Sequence, residues 1–153
     1  MNEKPQVKKE YKPHSFSSNV RWAGSRTWVA GGETSPEVPG GPPPVFGGAP
    51  GRWSPEELML ASVNCCHLSS FISYSSRKGF EFVSFESSIE GTLEHNGTFY
   101  SFTRMVVRPK ITVKSAADVE TARQYLERAH HMCFMSNSVR AEVLVEPEIT
   151  VAG

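Results

Sequence analysis

The chain has 153 residues, enough for one domain with a sizeable core. Its 16 basic and 16 acidic side chains cancel, and no basic stripe is interleaved with aromatics, so nucleic acid is not an expected partner. Three cysteines do not make a secreted disulfide framework; a cytoplasmic location is expected, and each thiol needs its own explanation.

Met1 to His14 is polar and Lys-rich, without the apolar run of a signal segment. Residues 1–16 are therefore expected as a flexible arm and 17–153 as a single domain. Val20, Trp22, Trp28 and Val29 around Gly24-Ser25 predict two short strands joined by a tight turn. From Gly31 to Gly51 the chain is rich in Gly and Pro and is expected as a long loop with neither strand nor helix. Such loops are often functional.

The stretch from Trp53 to Leu68 reads as the start of a helix that Lys78-Gly79 ends. Pro55 suits the first helical position, Ser54 and Glu57 form a capping box, and Glu56 and Glu57 face the positive end of the helix dipole. Leu58, Met59, Leu60, Ala61, Val63, Cys65, Cys66, Leu68, Phe71 and Ile72 leave no wide polar face, so the other elements are expected to wrap this helix. Asn64, His67 and several serines argue against a membrane span.

Alternation from Val83 to Glu94 predicts a strand with one wet face, and Asn96-Gly97 predicts a two-residue hairpin turn into a strand over Thr98 to Lys114. That turn would set Leu93 opposite Tyr100. The later apolar set, Met105, Val107, Ile111 and Val113, has the other parity, so a bulge is expected near Thr103-Arg104. Asn96-Gly97-Thr98 also matches a glycosylation acceptor, but the turn is the better reading. Ser115 is expected to cap a second helix with an apolar stripe of Ala116, Val119, Ala122, Leu126 and Ala129, which His130 to Phe134 would follow. Val143, Val145, Pro147, Ile149 and Val151 read as one closing strand, at an edge where Pro147 stands. These elements make an α+β domain. One amphipathic helix and one sheet are thin cover for a helix apolar all round, so a homodimer sharing one core is expected.

Cys65 and Cys66 lie mid-helix and Cys133 lies just past the second helix. A thiol that reduces peroxide must be a thiolate, needs a nearby positive charge, and benefits from a second Cys that resolves the sulfenic acid. Adjacent helical residues point about 100° apart, so at most one of Cys65 and Cys66 can face Cys133. Against this stands the ordinary reading of a free Cys as a small buried hydrophobe.

Two stretches resemble the OsmC/Ohr family, which includes organic hydroperoxide reductases. One is Phe46-Gly47-Gly48 followed by Ser54-Pro55-Glu56-Glu57-Leu58 and, eleven residues after the Pro, Cys66. The other is His131-Met132-Cys133-Phe134-Met135-Ser136-Asn137-Ser138. The resemblance implies antiparallel sheets wrapped around a long buried helix in an intertwined homodimer. It also implies reduction of organic hydroperoxides at the dimer interface, with a lipoyl-type dithiol as reductant in the Ohr branch. Carried over, Cys66 matches the peroxidatic thiol, Cys133 the resolving thiol and Glu56 the carboxylate that holds a catalytic Arg. Arg26 stands at nearly the family's distance before Gly47-Gly48, and Arg52 is its rival. Phe134 replaces the Pro that usually follows the resolving Cys, and Cys65 and His67 flank Cys66, so the chain resembles an OsmC-like protein outside the Ohr branch. His67 reads more readily as a polar residue satisfied in the core than as an acid or base.

Two other functions compete. Cys65, Cys66, His67, His130, His131 and Cys133 are soft ligands for zinc, although only His130 and Cys133 have the three-residue spacing that places ligands on one helix face. Alternatively, the Gly/Pro loop and Phe46 line a pocket that binds a hydrophobic effector without catalysis. No nucleotide loop or Ser-His-Asp order stands out, and no cofactor is expected.

Overall fold

The computed structural model describes residues 11–153. Most of the expected arm therefore lies outside the described residues; 11–16 are exposed and without regular structure. Backbone contacts divide the chain into a unit ending at Ser54 and a unit from Pro55 to Gly153.

In the first unit, β1 (Ser18–Trp22), β2 (Trp28–Gly32) and β3 (Val38–Gly40) form an antiparallel sheet in that order. The turn expected at Gly24-Ser25 joins β1 to β2, with Thr27 Oγ donating to the Gly24 carbonyl at 2.7 Å. The Gly/Pro segment departs from the expected bare loop. It contains β3 and a 3-10 turn, Pro44–Phe46. Pro39 is tolerated in β3 because that strand is a sheet edge, where a missing N–H costs little.

The second unit holds α1 (Pro55–Lys78), β4 (Ser84–His95), β5 (Tyr100–Val113), α2 (Asp118–Met132), β6 (Glu142–Val145) and β7 (Glu148–Val151). Pro55 opens α1 as expected, and beyond Lys78 the N–H groups of Gly79 and Phe80 close on the carbonyls of Ser76 and Ser75. α1 is not wrapped on all sides within one chain. Its buried residues are Val63, His67, Phe71 and Ser75, one stripe at four-residue spacing, while Met59 and Ile72 are exposed. Against this stripe lie two apolar clusters, one built on Phe71, Ile111, Val113, Leu126 and Ala129 and the other on Val63, Met105 and Val107. Asn64 fastens α1 to β4, donating to the Ser87 carbonyl at 3.1 Å and accepting from Ser87 Oγ at 2.6 Å.

β4 and β5 pair antiparallel, and the register shifts between Thr92 and Leu93, leaving Thr103 as the extra residue, where the parity change predicts a bulge. The turn is longer than expected. Asn96 Oδ1 accepts from the N–H groups of Thr98 and Phe99, so the connection occupies 96–99 and Leu93 faces Phe102 instead of Tyr100. α2 begins at Asp118 and not beside Ser115; Asp118 reaches back to Ser115, and Ala116 is exposed outside the helix. The rest of the expected stripe holds, and the helix runs on through His130 and His131.

The closing strand is two strands, both parallel to β5, which makes the sheet mixed instead of purely antiparallel. β6 ends opposite Val107 and β7 starts opposite Lys110. The break falls at Pro109 in β5 and Pro147 in the closing segment, two residues that supply no N–H to a ladder. No helix among the described residues is long and apolar enough to cross a membrane.

Phe71 is fully buried between β5 and α2. Phe71→Ala is expected to lower unfolding free energy by about 3–5 kcal/mol in urea denaturation; a loss below about 1 kcal/mol would contradict this packing.

Candidate functional site

The rotation of α1 selects one of its adjacent cysteines. Because Val63 and His67 face inward, Cys65 points out and is exposed, whereas Cys66 is half-buried. Cys133 follows directly on α2 and is fully buried. The Cys66 thiol lies close enough to the Cys133 thiol to raise its pKa. Two of the four expected site residues thus meet, from elements 67 positions apart in sequence.

Cys133 is surrounded by polar groups. Its Sγ accepts from Ser136 Oγ at 3.2 Å and from the Ser136 N–H at 3.4 Å. Burial pushes this thiol above its ordinary range; the Ser136 bonds favour the thiolate, and the neighbouring Cys66 thiol opposes it. Ser136 Oγ is in turn 2.8 Å from Nε2 of His67, a buried residue whose ring stacks on His130 with centroids 5.2 Å apart. Burial, with a smaller contribution from His130, lowers the His67 pKa from 6.5 to about 4, so His67 is neutral at physiological pH. Burial and the neighbouring His131 lower His130 as well. Ser136 and the inward-facing His67 were not singled out in the sequence as partners, because they stand 69 positions apart.

Glu56 is a different case. Ten helical residues, about 15 Å, separate it from Cys66. One of its carboxylate oxygens is shielded from solvent with no hydrogen-bond partner among the described residues. Such an atom is costly unless a donor reaches it. Glu56 lines a cavity of about 660 Å³ with Met59, Phe99, Phe102, Met105 and Arg140. Arg140 is a cation that sequence reasoning missed. Neither Cys66 nor Cys133 lines this cavity.

Arg26 belongs to the first unit. Its Nη1 donates to the Gly47 carbonyl at 3.4 Å, which seats it on the Phe46-Gly47-Gly48 motif. Gly48 must lack a Cβ, which would overlap the Pro42 carbonyl in this turn. Among the described residues no three His, Cys, Asp or Glu side chains converge as metal ligands, so the mixed Cys/His set has no common centre.

The family model for OsmC-like proteins matches residues 47–148. YmaD of Bacillus subtilis is 22% identical over 142 residues, covering 90% of this chain and 95% of that protein. An OsmC-like protein of unknown function from Vibrio cholerae superposes with a TM-score of 0.80 at 22% identity, over 88% of this chain and 99% of that one. An organic hydroperoxide resistance protein from Elizabethkingia anophelis superposes with a TM-score of 0.72 at 18% identity, over 94% of this chain and all of that one.

The low pKa of His67 links it to stability. Unfolded, the ring takes a proton near pH 6.5; folded, only near 4, so falling pH favours the unfolded chain through that window. From pH 7 to 5 this contributes a loss of about 2 kcal/mol. His67→Gln is expected to flatten the stability–pH curve by about that amount in urea denaturation, and an unchanged curve would contradict a neutral His67.

Proposed function

The chain belongs to the OsmC-like protein family, and on that premise we propose that it is a thiol peroxidase that reduces organic hydroperoxides. The observation that carries this reading is the Cys66 thiol beside the buried, hydrogen-bonded Cys133 thiol. Cys66 thiolate attacks the terminal peroxide oxygen, the O–O bond breaks, and the alcohol leaves with a proton. Cys133 then attacks the Cys66 sulfenic acid, water leaves, and a disulfide forms. A dithiol of the lipoyl type returns both thiols by exchange.

Arg26 is the residue we assign as the cation of the reacting thiolate, and Glu56 the carboxylate that the family resemblance gives to holding a catalytic Arg. The unpartnered oxygen of Glu56 supports the latter role. The cavity beside Glu56 would take the organic group and not the peroxide, since Met59 stands about 10 Å before Cys66 along the helix. Residues 17–153 act as one OsmC-like domain in a cytoplasmic homodimer whose partner covers Met59 and Ile72, apolar side chains that α1 leaves exposed. The same cavity, which is lined by neither Phe46 nor the Gly/Pro loop expected to form such a pocket, favours a second reading, a protein that binds a hydrophobic ligand without catalysis.

Turnover of cumene hydroperoxide with dihydrolipoamide separates the two. The unaltered protein and Cys65→Ser are expected to turn over alike, Cys66→Ser to fall to the uncatalysed rate, and Cys133→Ser to stop after a single equivalent. Arg26→Ala should lose roughly a hundredfold, with Arg140→Ala as the comparison cation. A folded protein that consumes no peroxide would leave the ligand-binding reading, to be followed by native mass spectrometry.

A further inference from the structure

The path from Cys133 through Ser136 to His67 is not used by the reaction as drawn so far. A hydroxyl has one hydrogen to donate, and Ser136 Oγ stands between two partners, Cys133 Sγ at 3.2 Å and His67 Nε2 at 2.8 Å. A thiolate can only accept. When Cys133 is ionised, the Ser136 hydrogen must point at sulfur, and Ser136 Oγ must accept from a His67 that carries its own hydrogen on Nε2.

We propose that His67 is a positioning residue for the resolving step, its Nε2–H holding Ser136 so that the hydroxyl hydrogen points at the attacking Cys133 sulfur. The inference rests on the reading of Cys133 as the resolving thiol. In that step the Cys133 sulfur forms the S–S bond as the S–O bond of the Cys66 sulfenic acid breaks. The departing hydroxide takes up the proton that Cys133 released and leaves as water, so no outside oxidant or reductant enters. The titratable groups facing the pair are the Cys66 thiol from α1 and the His130 ring from α2, and behind His130 stands the His131 ring. His130 stacks 25° from parallel on His67 and restrains its ring plane. Because His67 is neutral at physiological pH, what it contributes is a fixed tautomer and not a charge.

A test that needs no peroxide separates this inference from the peroxidase reading. In a Cys65→Ser background, Ellman's reagent loads Cys66 with thionitrobenzoate, and attack by Cys133 releases the coloured thiol. His67→Ala is expected to slow release about tenfold at pH 7 and to displace the rate–pH profile to higher pH. His67→Gln, whose amide N–H replaces the donor, should recover most of the rate. Ser136→Ala should match His67→Ala, and the double variant should be no slower than either. Nitrogen-15 shifts of His67 in the unaltered protein should report the hydrogen on Nε2, a measurement that stands even if His67→Ala does not fold. A hydrogen on Nδ1, a parental profile in His67→Ala, or losses that add in the double variant would each overturn the proposal. Failure of peroxide turnover with these results intact would sink only the peroxidase reading.

Discussion

The rotational register of α1 is the constraint on which the second unit depends. A helix repeats every 3.6 residues, so once Val63, His67 and Phe71 are committed to the interior, every other side chain on α1 has its direction assigned. Two different interactions hold that register. Apolar burial of Val63 and Phe71 against β5 and α2 supplies most of the free energy, and the reciprocal Asn64–Ser87 hydrogen bonds supply direction. A turn of about 100° would exchange Cys66 for Cys65 at Cys133. The chemistry available to the thiol pair is therefore set by packing one and two turns away.

The polar centre of this unit is also arranged by burial. Cys133 is fully buried, which disfavours its thiolate, and two Ser136 hydrogen bonds work against that cost. His67 would be an expensive charge at this depth and remains neutral, as a hydrogen-bonded imidazole stacked on another. The result is a buried thiol with donors aimed at it and no buried cation beside it among the described residues.

Much of this was legible in the sequence, for local reasons. Pro55 and Gly79 bracket α1, alternation over β4 marks its wet face, and the parity change between Leu93 and Val107 requires the Thr103 bulge. What escaped depended on partners distant in sequence. Asn96-Gly97 suggests a two-residue turn, but the Asn96 side chain lengthens it to four. The closing strand reads as continuous until Pro109 is placed beside its break. Composition makes α1 look buried all round, yet composition does not record how many faces one chain can cover. His67 reads locally as a polar residue satisfied in the core and is buried against Ser136, a partner with no local signal.

The central claim is that Cys66 and Cys133 form one redox pair. The most direct measurement is addition of a single equivalent of cumene hydroperoxide to the fully reduced protein, followed by mass spectrometry with fragmentation that separates Cys65 from Cys66. The account predicts loss of two hydrogens and a cross-link between Cys66 and Cys133, with Cys65 still a free thiol. A cross-link through Cys65, or oxygen retained on Cys66 with Cys133 still reduced, would contradict it.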